Sequence, residues 1–230
     1  MNAREALRTK GAVLIPNAFP RVLINRLHAA WLRSIAPAAI NATEVGHRRY
    51  MATVTVTGPF ASPGLLLNPK VYPIIRRLLG DDCVLGSFGV VVSFPGAEAQ
   101  HIHRDSDVLF PENLALSAQV PPHALTLVVP LVDLTPETGG TRIWPGSQGL
   151  SSTLRFERRP WEELRPARGS CFLMDYRVMH GGAPNRSAIL RPILYLTYTR
   201  PWFRDPNFGE QPGVVAASVP RACRRLLQRP

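Results

Sequence analysis

The chain has 230 residues, enough for one substantial core or at most two small domains, and its 45% apolar content excludes global disorder. Its 23 prolines argue against an all-helical bundle and for short elements joined by rigid turns. The net charge is +11, but the arginines are scattered and no stretch alternates basic with aromatic residues, so specific nucleic-acid binding is not supported. A solvated basic surface accounts for the charge; so does an acidic small-molecule partner, such as a carboxylate or a thioester on a phosphorylated carrier.

Along the chain, Met1 to Lys10 is polar and charged, with no apolar core of a secretion signal. Ala12-Val13-Leu14-Ile15 is a short apolar run stopped by Pro16-Asn17 and reads as a strand. From Pro20 to about Ile35, Leu23, Leu27 and Trp31 recur every four residues and line one helix face. A second helix is predicted over Asn68 to Leu79, with Asn68 as N-cap, Pro69 at the first helical position and Gly80 as the stop. Pro73 conflicts with that start, because its ring would clash with the preceding turn, and moves it toward Tyr72.

From Cys83 the character changes to short β-like runs: Val84 to Phe94, Leu125 to Leu131, Ser170 to Met174 and Ile193 to Thr199. Turn-forming segments such as Pro136-Glu137-Thr138-Gly139-Gly140 and Pro145-Gly146-Ser147 separate them. Strands at this spacing without intervening helices predict a mainly β jelly roll with flanking N-terminal helices. The expected organisation is a single domain over 1–230: a helical layer over 1–82, a jelly-roll core over 83–205 and a basic tail over 206–230. Cys83, Cys171 and Cys223 are odd in number and widely spaced, which fits reduced thiols in the cytoplasm. No apolar stretch approaches membrane-spanning length.

The chemistry-bearing feature is His103-Arg104-Asp105. Alternate side chains of a strand face one way, so His103 and Asp105 would point together into a barrel and hold one ion. His101 and Asp107 share that face, and the spacing alone leaves the pair open between these registers. Two imidazoles and one carboxylate form the facial triad of non-haem iron(II) oxygenases, which leaves open positions for other reactants. The third ligand must come from another strand. His180, after the strand Ser170–Met174 and before a tight turn at Gly181-Gly182, is the candidate; His28, His47 and His123 lie in less suggestive settings.

The segment His180-Gly181-Gly182-Ala183-Pro184-Asn185-Arg186-Ser187 followed by Arg191 resembles the distal half of a phytanoyl-CoA dioxygenase-type iron(II)/2-oxoglutarate oxygenase. The stretch Gly139-Gly140-Thr141-Arg142-Ile143-Trp144-Pro145-Gly146-Ser147 and the opening Gly11 to Phe19 are similar to that family's segments, in the same order. The resemblance implies a double-stranded β-helix of the cupin-like kind, with His103, Asp105 and His180 as the iron(II) ligands. It implies 2-oxoglutarate and O2 as co-reactants, Arg191 at the far carboxylate of 2-oxoglutarate, and Thr141 and Gln100 as further polar contacts to it. It also implies oxidation, most simply hydroxylation, of a small molecule, and the short chain leans toward natural-product tailoring. Two departures stand out: Gln148 replaces a common histidine that is not a ligand, and Glu137-Thr138-Gly139 alters a turn. The carboxylate ligand that related halogenases lack is present as Asp105, which favours oxygenation. Arg48-Arg49-Tyr50 and Trp202-Phe203-Arg204 are candidate lid or pocket elements. The competing readings are a non-catalytic jelly roll holding an anionic ligand or nucleic acid on its basic surface, and cupin-like metal chemistry without 2-oxoglutarate, against which Arg191 speaks.

Overall fold

Two sheets facing one another frame the protein, whose computed structural model describes residues 2–38, 42–151, 156–205 and 219–228. In chain order the elements are α1 (Ala3–Lys10), β1 (Ala12–Ile15), α2 (Arg21–Ala38), β2 (Thr43–Gly46), β3 (Arg49–Thr53), α3 (Pro63–Leu66), α4 (Tyr72–Leu79) and β4 (Val84–Ser93). There follow α5 (Leu114–Gln119), β5 (Ala124–Pro130), β6 (Thr141–Ile143), β7 (Glu162–Leu164), β8 (Cys171–Asp175), β9 (His180–Gly182), β10 (Arg191–Thr199) and α6 (Arg221–Arg224). The larger sheet has seven strands in the order β1-β8-β5-β10-β4-β3-β2, and the smaller has three in the order β7-β6-β9. The pairings are antiparallel, and the fold is the cupin-like double-stranded β-helix.

The large sheet is buried on both faces, and the two-residue period of its strands sorts side chains between them. One face carries Leu125, Leu127 and Val129 of β5, Leu194, Leu196 and Tyr198 of β10, and Leu173 of β8. These pack against Ile24, Leu27 and Trp31 of α2, Leu65 and Leu66 of α3, and Ile75 and Leu79 of α4. The Tyr198 hydroxyl donates to the Leu66 carbonyl at 2.7 Å, so its polar atom is spent within the core. The opposite face presents Val128, Phe172, Met174 and Ile193 toward the small sheet. It also presents Thr126, Tyr195 and Thr197, polar groups that an all-apolar core would not carry. A bulge between Thr197 and Tyr198 skips Gly86 of β4, which lets Leu85 and Phe88 both enter the helical side of the core.

The sequence reading of strands β1, β4, β5, β8 and β10 holds to within two residues at either end, and α2 runs three residues past the expected Ile35. The core face of α2 is Ile24, Leu27 and Trp31, with Leu23 at its margin. Helix α4 starts at Tyr72, with Pro73 in its first turn, and Asn68 closes its own turn by accepting the Lys70 amide at 2.9 Å instead of capping the helix. Polar residues 3–10 form α1, its first turn capped by Asn2 accepting the Glu5 amide. Residues 1–82, read as a helical layer, also supply β1, β2 and β3 to the large sheet. Gly181-Gly182, read as a turn, lies inside β9. Of the tail, 206–218 lies outside the described residues, whereas Val219, Cys223 and Leu226 are buried in the core. Among the described residues no helix is long and apolar enough to cross a membrane.

A buried ion pair ties the end of β8 to α5. Arg177 donates from Nε and Nη2 to the two Asp175 oxygens at 3.0 and 2.8 Å, and from Nη1 to the Val120 carbonyl at 3.1 Å. Asp175→Ala would strand a buried guanidinium, and we expect a loss of ~3–5 kcal/mol in urea unfolding. A loss below ~1 kcal/mol would show that water or another acceptor reaches Arg177.

Candidate metal centre

His180 opens β9, and His103 lies opposite it in an isolated antiparallel bridge. The two backbones exchange both hydrogen bonds, at 2.9 and 2.7 Å. His103 and Asp105 are therefore not on a regular strand as expected: only His103 pairs, and Asp105 sits in a bend whose amide, with that of Ser106, donates to the Tyr176 carbonyl at 3.1 Å. The break in pairing after His103 turns the Asp105 side chain back toward the imidazoles. His180 Nε2 and His103 Nε2 lie 3.6 and 3.8 Å from Asp105 Oδ1.

The donor set of His103, Asp105 and His180 has ligand atoms all within 4.8 Å of one another, which fits one metal ion. The chemistry of each donor agrees. His103 Nδ1 meets the His101 carbonyl at 3.0 Å and His180 Nδ1 meets the Val178 carbonyl at 3.1 Å. A backbone acceptor at Nδ1 fixes the proton there and leaves the Nε2 lone pair facing the carboxylate. Burial, with the neighbouring His180 adding to it, lowers the His103 pKa to about 4. Burial also lowers His180 to about 4. Both rings are thus neutral and ready to ligate at physiological pH. His101 and Asp107, the alternative register, are exposed and outside this cluster.

A cavity of about 350 Å³ opens beside the cluster. Its inner wall is polar, formed by Thr126, Thr141, Tyr195 and Thr197, and Glu44, Val45, Met51 and His101 form the outer part. Thr141, a predicted cosubstrate contact, faces this cavity with its buried hydroxyl beside Tyr195. Gln100 also lines it, but its amide is engaged: Oε1 accepts the Gly182 amide at 3.1 Å and Nε2 donates to the Val45 carbonyl at 3.2 Å. It pins β9 to β2.

Arg191 begins β10 and is 2% exposed, behind the cavity wall rather than on it. In the register of the large sheet, Ser93 of β4 stands between Arg191 of β10 and Arg49 of β3. Both guanidiniums accordingly converge on it: Arg191 Nη2 donates to Ser93 Oγ at 2.7 Å and Arg49 Nε at 2.9 Å. Arg191 Nη1 further donates to the carbonyls of Thr138 and Ala183 at 2.8 and 3.0 Å, and Arg191 Nε is buried without a partner. Burial, then the like charge of Arg49, pushes the Arg191 pKa down to about 10. Such a pair of desolvated cations with an unspent donor is a cradle for an anion. Gly139 makes room for it. Its φ is +73°, and a Cβ there would meet the Pro184 carbonyl and, at 2.8 Å, Arg191 Nη1.

Several site residues escaped the sequence reading. Arg49, read only as part of a lid or pocket element, is 1% exposed and bonded to Ser93 beside Arg191. Tyr195 and Thr197 share the face of Arg191 on β10, and Thr126 interrupts an apolar run, two signals that alternation could have supplied. Tyr176 lines the cavity and donates to Asp205 at 2.6 Å, a carboxylate that also accepts from Ser87 at 2.5 Å. Trp202 and Phe203 pack at tilted angles against buried His123 and do not line the cavity, and Arg204 bonds locally to the Pro201 carbonyl. His28 stacks on Trp31, and His47 lies at the surface 4.0 Å from Glu98. Gln148 donates to the Arg8 carbonyl at 2.8 Å, well away from any ligand role.

A jelly roll enclosing two neutral imidazoles, a carboxylate and an open cavity has the donor arrangement of the facial-triad class of non-haem metal sites. The model of the phytanoyl-CoA dioxygenase (PhyH) family matches residues 7–193, and the chain belongs to that family. It is 25% identical over 198 residues to the dioxygenase aneA of Aspergillus aculeatus, covering 80% of this chain and 66% of that protein, just under two thirds of its length. It is 30% identical over 140 residues to the dioxygenase FUM3 of Gibberella moniliformis, covering 58% and 46%. The fold is shared with HygX of Streptomyces hygroscopicus, solved with nickel, 2-oxoglutarate and hygromycin B, at a TM-score of 0.68 and 16% identity over 92% of this chain and 95% of that one. The epimerase SnoN, solved with Fe3+, alpha ketoglutarate and nogalamycin RO, superposes with a TM-score of 0.68 at 18% identity over 86% and 82%.

Burial raises the Asp105 pKa to about 7, with the Asp205 carboxylate adding to it and His103 opposing. Protons and metal therefore compete at this ligand, since a carboxyl must ionise to coordinate. The affinity for Co(II), read by calorimetry, should rise about tenfold per pH unit from pH 5 and level off above about 7. A flat profile over that range would mean that Asp105 is already ionised in the apo protein.

Proposed function

We propose that the protein is an iron(II)/2-oxoglutarate-dependent dioxygenase that oxidises a small molecule, with hydroxylation as the outcome, in the tailoring of a natural product. The observation that carries this reading is the conjunction of the His103–Asp105–His180 cluster with a buried arginine cradle eleven residues beyond its last ligand. Iron(II) held by the cluster, with 2-oxoglutarate and O2, would supply the oxidising equivalent for a substrate C–H bond, the cosubstrate leaving as succinate and carbon dioxide.

The chain's own contribution is position and charge. His103 and His180 present Nε2 because the His101 and Val178 carbonyls hold their Nδ1 protons. Metal, Asp105 and the 2-oxoglutarate dianion together sum to about −1, and the cradle of Arg191 and Arg49 answers that charge. Arg191 would hold the far carboxylate, and its Nε is a buried donor without a partner. Thr141 offers its buried hydroxyl to the same ligand, whereas Gln100 acts by holding β9 in register. Val91 and Met51 line the space beside the centre and keep water from it. The three cysteines are buried and unpaired, which suits a reducing cytoplasm.

Relatives of similar fold have been solved with an aminoglycoside and with a nogalamycin intermediate, which supports a small-molecule substrate here. An acidic or thioester-linked substrate, suggested by the net charge, finds no lysine or arginine among the described residues that line the cavity.

Anaerobic addition of Fe(II) and 2-oxoglutarate should give the weak visible charge-transfer band of the chelate, and Asp105→Ala combined with His180→Ala should abolish it. No band in the wild type would end this reading. Arg191→Ala should raise the 2-oxoglutarate concentration for half-maximal band intensity by about 30-fold, the loss of a buried ion pair worth ~2 kcal/mol or more. A change below about threefold would assign the far carboxylate to another residue.

A further inference from the structure

The outer half of the cavity carries charge of one sign. Apart from the ligand Asp105, the one carboxylate among the described lining residues is Glu44 of β2, which is exposed at the mouth. The nearest guanidiniums of the site, Arg49 and Arg191, do not reach that mouth. They are buried behind the wall and bonded to Ser93, Glu98, Ala183 and Thr138. The other rim groups are the His101 imidazole and, on the adjoining turn, His47 facing Glu98 at 4.0 Å. Gln100 cannot offer its amide outward without releasing Val45 and Gly182. Between rim and metal ligands the walls are apolar: Val45, Met51 and Val91.

We infer that the pocket selects an amine-bearing substrate, a small ring or chain whose apolar face lies on Val45, Met51 and Val91 and whose ammonium pairs with Glu44. The inference rests on the dioxygenase reading, which supplies the bound dianion. Metal, Asp105 and the bound dianion sum to about −1 and the buried Arg191 and Arg49 offset that charge, so the sign of the charge that a substrate meets at the mouth rests on Glu44. A cavity of about 350 Å³ admits one ring system of the size that enzymes commonly enclose. Glu44 belongs to an edge strand, and β2 and β3 are joined by the turn at His47 and Arg48, so its side chain sits where a substrate enters rather than where the cosubstrate lies.

Three carbocycles of similar size separate charge from shape: streptamine, a diammonium cyclitol; myo-inositol, which is neutral; and quinate, a carboxylate. The protein is first titrated with Co(II) and 2-oxoglutarate. Failure at that step counts against the dioxygenase reading and is seen before any cyclitol is added. On the loaded protein, streptamine should bind best and quinate worst. Glu44→Gln should weaken streptamine about tenfold, the worth of one charge-assisted hydrogen bond, while Co(II) and 2-oxoglutarate affinities hold. Glu44→Lys should reverse the order of streptamine and quinate. Quinate binding as tightly as streptamine, streptamine failing to bind the loaded protein, or Glu44→Gln leaving its affinity unchanged would each overturn the inference.

Discussion

The two hydrogen bonds that His103 and His180 exchange are the constraint from which the rest of the centre follows. They bring together segments far apart in sequence at one point, where a hydrogen-bonded antiparallel pair sets its Cα atoms about 5.5 Å apart. Pairing then stops. Had it continued through Asp105, the carboxylate would have been held in ladder geometry; instead the Tyr176 carbonyl takes two successive amides and the chain bends. The bend aims Asp105 Oδ1 at both Nε2 atoms. Tyr176 is in turn fixed by Asp205, and Asp205 by Ser87 of the large sheet. The ligand loop is thus referred back to the buried strand β4 of the large sheet.

The centre is also an exercise in uncompensated charge. Neutral imidazoles and a carboxyl whose pKa is lifted to about 7 show that this part of the interior resists carrying ions by itself. Behind the cavity wall, the interior holds two guanidiniums with Ser93 between them. Burying like charges together is unfavourable unless a counter-charge arrives. A cation on the ligands and a dianion beside the arginines would each offset the charge of its own half, and the two would attract one another.

How much of this was legible in the sequence depended on the length of the signal. The strands β4, β5, β8 and β10 are long runs of β-forming residues, and their two-sided burial made them plain. Strands β6, β7 and β9 have three residues each, two of them contain no β-branched pair, and Gly181-Gly182 reads locally as a turn. They exist because the ladder to a neighbour supplies what local preference does not. The ligand trio was open between two registers on spacing alone, and the family resemblance closed it. Arg49 was visible only as a basic residue beside an aromatic one, because its burial depends on β3 pairing with β4 in a register that brings it to Ser93. A strand alignment with a remote partner cannot be read from either strand alone.

The basic composition illustrates the same separation between a global property and a local one. A net charge of +11 invites an acidic partner, yet it is carried by arginines spread over the chain. Exposed charges more than about 8–10 Å away are largely screened at physiological ionic strength. What a substrate meets inside the mouth is set by the few groups within that distance: Glu44, His101 and the loaded centre. The buried arginines lie behind the cavity wall, where the 2-oxoglutarate dianion of the proposed function would offset their charge. Surface basicity therefore influences encounter and solubility, whereas the sign of the field at the reacting end is fixed by a handful of residues on β2, β9 and the His103 loop.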